Sequence, residues 1–214
     1  MEPKSLPIRD FYGKVWGEYA DPLLHPITAQ ALATQARVVA RKIREAKART
    51  VLDLGCGPAP VIQADSAPLV VRADLVFEML ANIKKSRPGF VVCLDAQRLP
   101  FAEHSFDFIW CGLLVDHIED TGGWLQELLR LLEADATLGM ACWARSGLPA
   151  DRYPGNTQMC YTTAEGEELA VTSFPTWEVA LELLREIDPG MEVEAHVIVP
   201  DEYLLQIAWI RVPP

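Results

Sequence analysis

Between Thr50 and Trp143 the chain alternates short apolar runs with amphipathic stretches, and this rhythm restricts the available folds more than any other feature of the sequence. The runs are 51–54, 69–71, 90–94, 106–110 and 138–143. Each is too short for a helix and apolar at nearly every position, which is the pattern of strands covered on both faces. Helical patterns fall between them at about 76–86, 114–118 and 123–133, the last with Trp124, Leu125, Leu128, Leu129 and Leu132 on one face. Strand and helix in alternation imply a mostly parallel sheet with helices on both faces, a doubly wound α/β layout. A length of 214 residues, half of them hydrophobic, suits one such domain.

The flanking segments read differently. Residues 1–49 form an N-terminal helical cap: Phe11, Val15, Trp16 and Tyr19 recur at helical spacing, Asp21-Pro22 breaks the chain, and a second amphipathic run starts near Thr28. Residues 50–143 are the core. Residues 144–175 carry Pro149, Pro154, Gly155, Gly166 and Pro175, and two strand-like stretches flank the turn 164–166, so a hairpin or substrate lid is expected there. The closing segment, 176–214, begins with an N-cap at Thr176. It continues as a helix with Trp177, Ala180, Leu181, Leu184 and Ile187 inward, stopped by Pro189-Gly190, and ends in two strands at about 191–199 and 203–211.

Charge and cysteine content narrow the function. The net charge of -11 repels a phosphate backbone, and the basic stretch 41–49 has helical spacing interrupted by Glu45, which reads as a solvated helix face, so nucleic-acid binding is disfavoured. No apolar run is long enough to cross a bilayer and the first residues lack a signal-peptide core, from which no membrane association and a cytoplasmic location are expected. The five cysteines at 56, 93, 111, 142 and 160 are unclustered and are expected to be buried free thiols, with no metal site. His25, His104 and His196 have no evident partners and read as surface or packing residues.

The sharpest chemical signal is VLDLGCGPA at 51–59, a strand running into a small-residue turn. Glycine at 55 and 57 allows positive φ and close approach of a ligand, and a helix starting after the turn would point free N–H groups at an anion. Asp53 ends that strand. Twenty-one positions further, Asp74 ends the second run, where a carboxylate can accept both hydroxyls of a ribose. Asp95-Ala96 ends the third, placed to pair with an adenine amine. In an open α/β sheet these strand ends converge where strand order reverses.

VLDLGCGPA, RADLVFEML, LDAQRLPFAEHSFDFIWC and LLVDHIED resemble, in order, the motifs of class I S-adenosylmethionine-dependent methyltransferases, over about residues 50–143. The resemblance implies a Rossmann-like sheet closed by a β-hairpin with one antiparallel strand, and S-adenosylmethionine as cofactor. It implies Asp53, Gly55 and Gly57 around the methionine part, Asp74 at the ribose, Leu75 and Met79 beside the adenine, Asp95 and Ala96 at its edge, and the backbone near Cys111 at the amino group. It also implies that residues after the fourth strand, Asp116 and His117, face the reaction centre, His117 as a general base. Tyr19 sits where a tyrosine of the leading helix reaches the cofactor. Tyr12, Trp143 and Tyr161 are candidate substrate walls. Two departures stand out. Ala59-Pro60 replaces the third glycine, and the stretch from Ala59 to Asp74 is short and truncated by Pro68, so a shortened helix and a weakened cofactor site are expected; in addition, 133–136 replaces the usual proline-glycine turn.

A looser resemblance links residues 10–143 and the following ARSGLPADRY to malonyl-carrier-protein O-methyltransferases. It implies methyl transfer to an oxygen or nitrogen nucleophile on a small or carrier-tethered acceptor; the acidic net charge is compatible with small acids if a local arginine, such as Arg145 or Arg152, provides a clamp. Two alternatives stay open: a catalytically degenerate fold acting as a binding or partner subunit, and a nicotinamide-dependent oxidoreductase sharing the glycine turn and later acid. The 95–107 stretch and the final hairpin disfavour the oxidoreductase.

Overall fold

The computed structural model describes residues 3–86, 89–143, 158–174, 176–187, 189–198 and 205–214. Its main sheet contains β2 (Thr50–Leu54), β3 (Leu69–Asp74), β4 (Phe90–Cys93), β5 (Phe106–Gly112), β6 (Leu132–Trp143), β9 (Glu192–Ile198) and β10 (Leu205–Arg211). Strand order is β4-β3-β2-β5-β6-β10-β9, with β10 antiparallel to both neighbours and the rest parallel. The order reverses between β2 and β5, so their carboxyl ends open the crevice where a ligand fits.

Helices α2 (Pro26–Ala46), α3 (Phe77–Ser86), α4 (Thr121–Leu131) and α5 (Thr176–Ile187) cover the sheet. Residue alternation in β2 sends Leu52 and Leu54 into a core with Trp124, Leu125, Leu128 and Leu184 of α4 and α5. Val51 points the other way, packing with Val39 and Ile43 of α2, Phe108, Trp110 and Trp209. On that second face the register aligns Arg72, Asp53, Trp110, Gly139 and Trp209 in one row across five strands. Gly139 is required there, because a Cβ would run into the indoles of Trp110 and Trp209.

A second sheet lies apart from the first. It joins β1 (Lys4–Leu6) in parallel to β8 (Glu168–Thr172), which pairs antiparallel with β7 (Gln158–Thr162). With helix α1 (Ile8–Val15) it builds a small core of Phe11, Val15, Met159, Tyr161, Leu169 and Val171. The expected hairpin is present; its partner strand from the amino terminus carries no sequence signal beyond three residues.

Several expectations require correction. No helix follows β2: residues 55–68 are turns and bends. Pro58, Pro60 and Pro68 each remove a backbone donor, and fourteen residues leave no room for helix and return loop together. This loop is held instead by buried Val61, Ile62 and Ala67 and by the wholly buried Arg72, whose Nη2 donates to the Ile62 carbonyl at 2.9 Å. The helix at 114–118 is a single 3₁₀ turn, Val115–His117. Leu132 ends the helix expected to reach 133, and 133–136 lie inside β6, where Asp135 has φ of 61°. Ile187, the last residue of α5, is 42% exposed rather than inward. Cys93 is exposed; the other four thiols are buried. The side chains of Thr176 and His196, and all of 144–157 with Arg145 and Arg152, lie outside the described residues. No helix is long and apolar enough to cross a membrane among the described residues.

Candidate cofactor and acceptor site

At the carboxyl ends of β2 to β5, under α1, lies a cavity of about 1100 Å³ including its open mouth. Its floor begins at the glycine turn. Gly55 and Gly57 have φ of 69° and 60°, the left-handed region that glycine reaches without a Cβ penalty. Both Gly55 and Cys56 N–H groups donate to the Ala73 carbonyl, at 2.8 and 3.1 Å, tying the turn to β3. Nothing lies within 4 Å of the place a Gly57 Cβ would occupy, so the turn faces open space.

Asp74 shapes that turn. Its Oδ2 accepts from the Gly57 N–H at 2.8 Å and its Oδ1 from Val76 at 3.0 Å. Burial holds its carboxyl above the usual range, against the opposing pull of these N–H groups. A carboxylate has about four lone-pair sites, so its oxygens keep acceptor capacity for a ribose hydroxyl beyond these backbone donors. Asp95 closes a local turn, its Oδ1 accepting from Gln97 N–H at 2.9 Å, and is exposed at the cavity rim beside Ala96. Leu75 and Met79 supply apolar wall between them.

Asp53 is 1% exposed, and burial pushes its carboxyl up to about 7 despite the Arg72 guanidinium on the neighbouring strand. Its Oδ2 has no hydrogen-bond partner among the described residues. Beside it in the same cavity, Gln35 of α2 is 0% exposed with neither amide atom partnered, and the Trp110 indole N–H is likewise unpartnered. Gly112 keeps this corner open, since a Cβ there would collide with the Gln35 amide and the Trp110 nitrogen. Buried groups of this kind are rare and expensive unless something completes them.

Over the far side, Tyr12 and Tyr19 of the leading segment meet edge to face at 5.6 Å. The Tyr12 hydroxyl lies 2.7 Å from His117 Nε2, which ties α1 to the segment after β5. Thus Asp53, Gly55, Gly57, Asp74, Leu75, Met79, Asp95, Ala96, Tyr12, Tyr19 and His117 share one cavity wall. Four residues singled out in the sequence lie away from it. Cys111 is buried in the core on the opposite face, although its neighbours Trp110 and Gly112 line the cavity. Asp116 is buried, its carbonyl accepting from Phe174 N–H at 2.8 Å. Trp143 packs against the α2-side core, and Tyr161 belongs to β7 and the small second core, where it stacks on His25 at 4.3 Å.

Gln35 and Trp110 are absent from the sequence reading, but one signal for Gln35 exists. Ala31, Gln35, Val39 and Ile43 recur at intervals of four and are all buried, so a lone amide interrupts the inward stripe of α2. Among the described residues no group of three His, Cys, Asp or Glu side chains could hold a metal ion.

The fit to an adenosyl sulfonium can be judged from these observations. An unpartnered carboxylate suits an ammonium, unpartnered donors suit a carboxylate, Asp74 suits a ribose, and the Leu75–Met79 wall suits a purine. Comparison with known proteins points the same way. Residues 52–140 match the family model described as a methyltransferase domain. A malonyl-[acyl-carrier protein] O-methyltransferase of Enterobacter lignolyticus is 31% identical over 120 residues, 55% of this chain and 46% of that protein. The chain spans about half the length of the curated relatives it matches first. Magnesium protoporphyrin IX methyltransferase from Synechocystis PCC 6803 with bound cofactor superposes with a TM-score of 0.68 at 12% identity, over 96% of this chain and 95% of that one. The DhpI–SAH complex gives 0.69 at 15% identity over the same shares. Strand order and superposition together give the chain the fold of S-adenosylmethionine-dependent methyltransferases, and its residues 52–140 are similar to a methyltransferase domain.

Proposed function

We propose that the protein transfers the methyl group of S-adenosylmethionine to an oxygen or nitrogen nucleophile on a small or carrier-tethered acceptor. The observation that carries this reading is the continuity of one cavity from the Asp74 and Asp53 carboxylates to the Tyr12–His117 pair. The cofactor supplies an electrophilic methyl on a sulfonium, so the protein's part is alignment, exclusion of water and, for an acceptor that carries one, removal of a proton. Asp74 would orient the ribose, Asp53 the amino group, and the lid residues Ile8, Tyr12 and Tyr19 would shield the reacting atoms. An acceptor that carries a proton, such as an alcohol, would pass it to the Tyr12 oxygen while the Tyr12 proton moves to His117 Nε2, already 2.7 Å away; a carboxylate acceptor needs no base, and the pair then serves to position it. The likeness to malonyl-carrier O-methyltransferases supports a carrier-bound carboxyl as acceptor.

A second reading, a binding or partner subunit without turnover, is favoured by the loss of the helix after β2, which removes the dipole end that the glycine turn would otherwise offer. Calorimetry with S-adenosylhomocysteine and a transfer assay with labelled S-adenosylmethionine separate the two. Micromolar product binding, with label appearing on malonyl carrier protein or a small malonyl thioester, is expected. Tyr12→Phe should then slow transfer to an alcohol acceptor by about 100-fold or more, with product affinity and transfer to a carboxylate acceptor changed far less. Binding without transfer, or no binding at all, supports the partner reading and removes the first.

A further inference from the structure

Three buried polar groups in the cavity lack partners among the described residues: Asp53 Oδ2, the Gln35 amide and the Trp110 indole N–H. They come from three different elements. Asp53 and Trp110 are cross-strand neighbours on β2 and β5, and Gln35 descends on them from α2. Each lines the cavity, and Gly112 leaves their corner empty of its own Cβ. Arg72 and the Ile62 backbone N–H offset part of the cost at Asp53, and the unpartnered atoms of the trio carry a stability cost that a ligand would offset.

We infer that Gln35 and Trp110 are the receptor for the amino-acid end of the cofactor, donating to its carboxylate while Asp53 accepts from its ammonium. This rests on the cofactor reading above. The chemistry of the trio is that of a zwitterion site: two neutral donor groups and one acid, all shielded from water. Its position agrees with the sheet, since Asp74 and Asp95 lie over β3 and β4 and leave the β2–β5 side for the other end of the ligand. It also explains how the chain dispenses with the helix after the glycine turn. A carboxylate that cannot be met by a helix N-terminus needs donors from elsewhere, and the donors stand on α2 and β5.

Two ligands that differ only at this end provide the test. S-adenosylhomocysteine carries the amino acid, and 5′-methylthioadenosine keeps the adenosine and the sulfur but not the amino acid. In the intact chain, Gln35→Leu and Trp110→Phe should each weaken S-adenosylhomocysteine by about 10- to 150-fold, the worth of a hydrogen bond to a charged group, and leave methylthioadenosine affinity unchanged. Gln35→Leu should not lower the melting temperature of the ligand-free protein, because it removes an unpaired amide. Should it misfold, Trp110→Phe, which keeps an aromatic ring and deletes the donor, decides alone. Equal loss for both ligands, or no loss for either, overturns the assignment while the cofactor reading stands. Wild-type protein that binds neither ligand overturns that reading itself.

Discussion

Replacing Asp53 by asparagine should change how stability depends on pH, by an amount that follows from burial. In the unfolded chain this carboxyl titrates near 3.8, and in the folded protein near 7. Between those values the folded state binds more protons than the unfolded one, so stability is full below about 4 and declines as pH rises to 7. At 1.36 kcal/mol per pH unit, the displacement amounts to about 4 kcal/mol for a side chain that is 1% exposed. The substituted amide cannot ionise and escapes this decline, while Arg72 remains buried at every pH in both proteins. The constant effect of that guanidinium cancels when the slopes of the two proteins are compared. Urea unfolding of wild type and Asp53→Asn between pH 4 and 8, without ligand, measures the difference. The wild-type curve should fall relative to the variant by about 4 kcal/mol across this window. Saturating S-adenosylhomocysteine should shrink the gap, because an ammonium beside the carboxylate favours its charged form. Parallel curves without ligand would mean that Arg72 keeps Asp53 ionised throughout, and the reasoning from burial would fail.

Two further perturbations probe the packing. Gly112→Ala places a methyl against the Gln35 amide and the Trp110 nitrogen, and thermal unfolding should show a loss of about 1–3 kcal/mol; an unchanged melting temperature would show that this corner is not closely packed. Phe11→Ala empties the centre of the lid's own core, where truncating a buried phenylalanine costs about 3–5 kcal/mol, and amide exchange should rise in 4–6, 158–162 and 168–172 but not in β2 or β5. Equal acceleration in both sheets would show that lid and core open as one unit.

What the sequence made legible was whatever local pattern controls. Strands 51–54 and 106–110 announce themselves because two covering layers demand apolar residues at nearly every position, and the acids at 53, 74 and 95 follow from where those strands stop. The turn at 55–57 was readable because only glycine takes φ of 69° and 60° at no cost. The helix expected after it was a family habit, which Pro58, Pro60 and Pro68 overrule by removing donors. The lid's third strand was invisible, since residues 4–6 become a strand only by pairing with 169–171, a contact that no local pattern encodes. Asp116, Trp143 and Tyr161 were chosen by position along the chain, whereas the side-chain direction that decides cavity lining is set by register and by packing across elements. Gln35 was missed for the opposite reason, because a buried stripe on a helix draws attention to its apolar members.

The lid and the cradle beneath it are spelled by different stretches of chain. One is written in residues 4–19 and 158–172, with a core of its own; the other is written almost entirely between 53 and 118. Changes confined to the outer stretches therefore alter the roof of the cavity, Tyr12 and Tyr19 included, while leaving the glycine turn and the strand-end carboxylates in place.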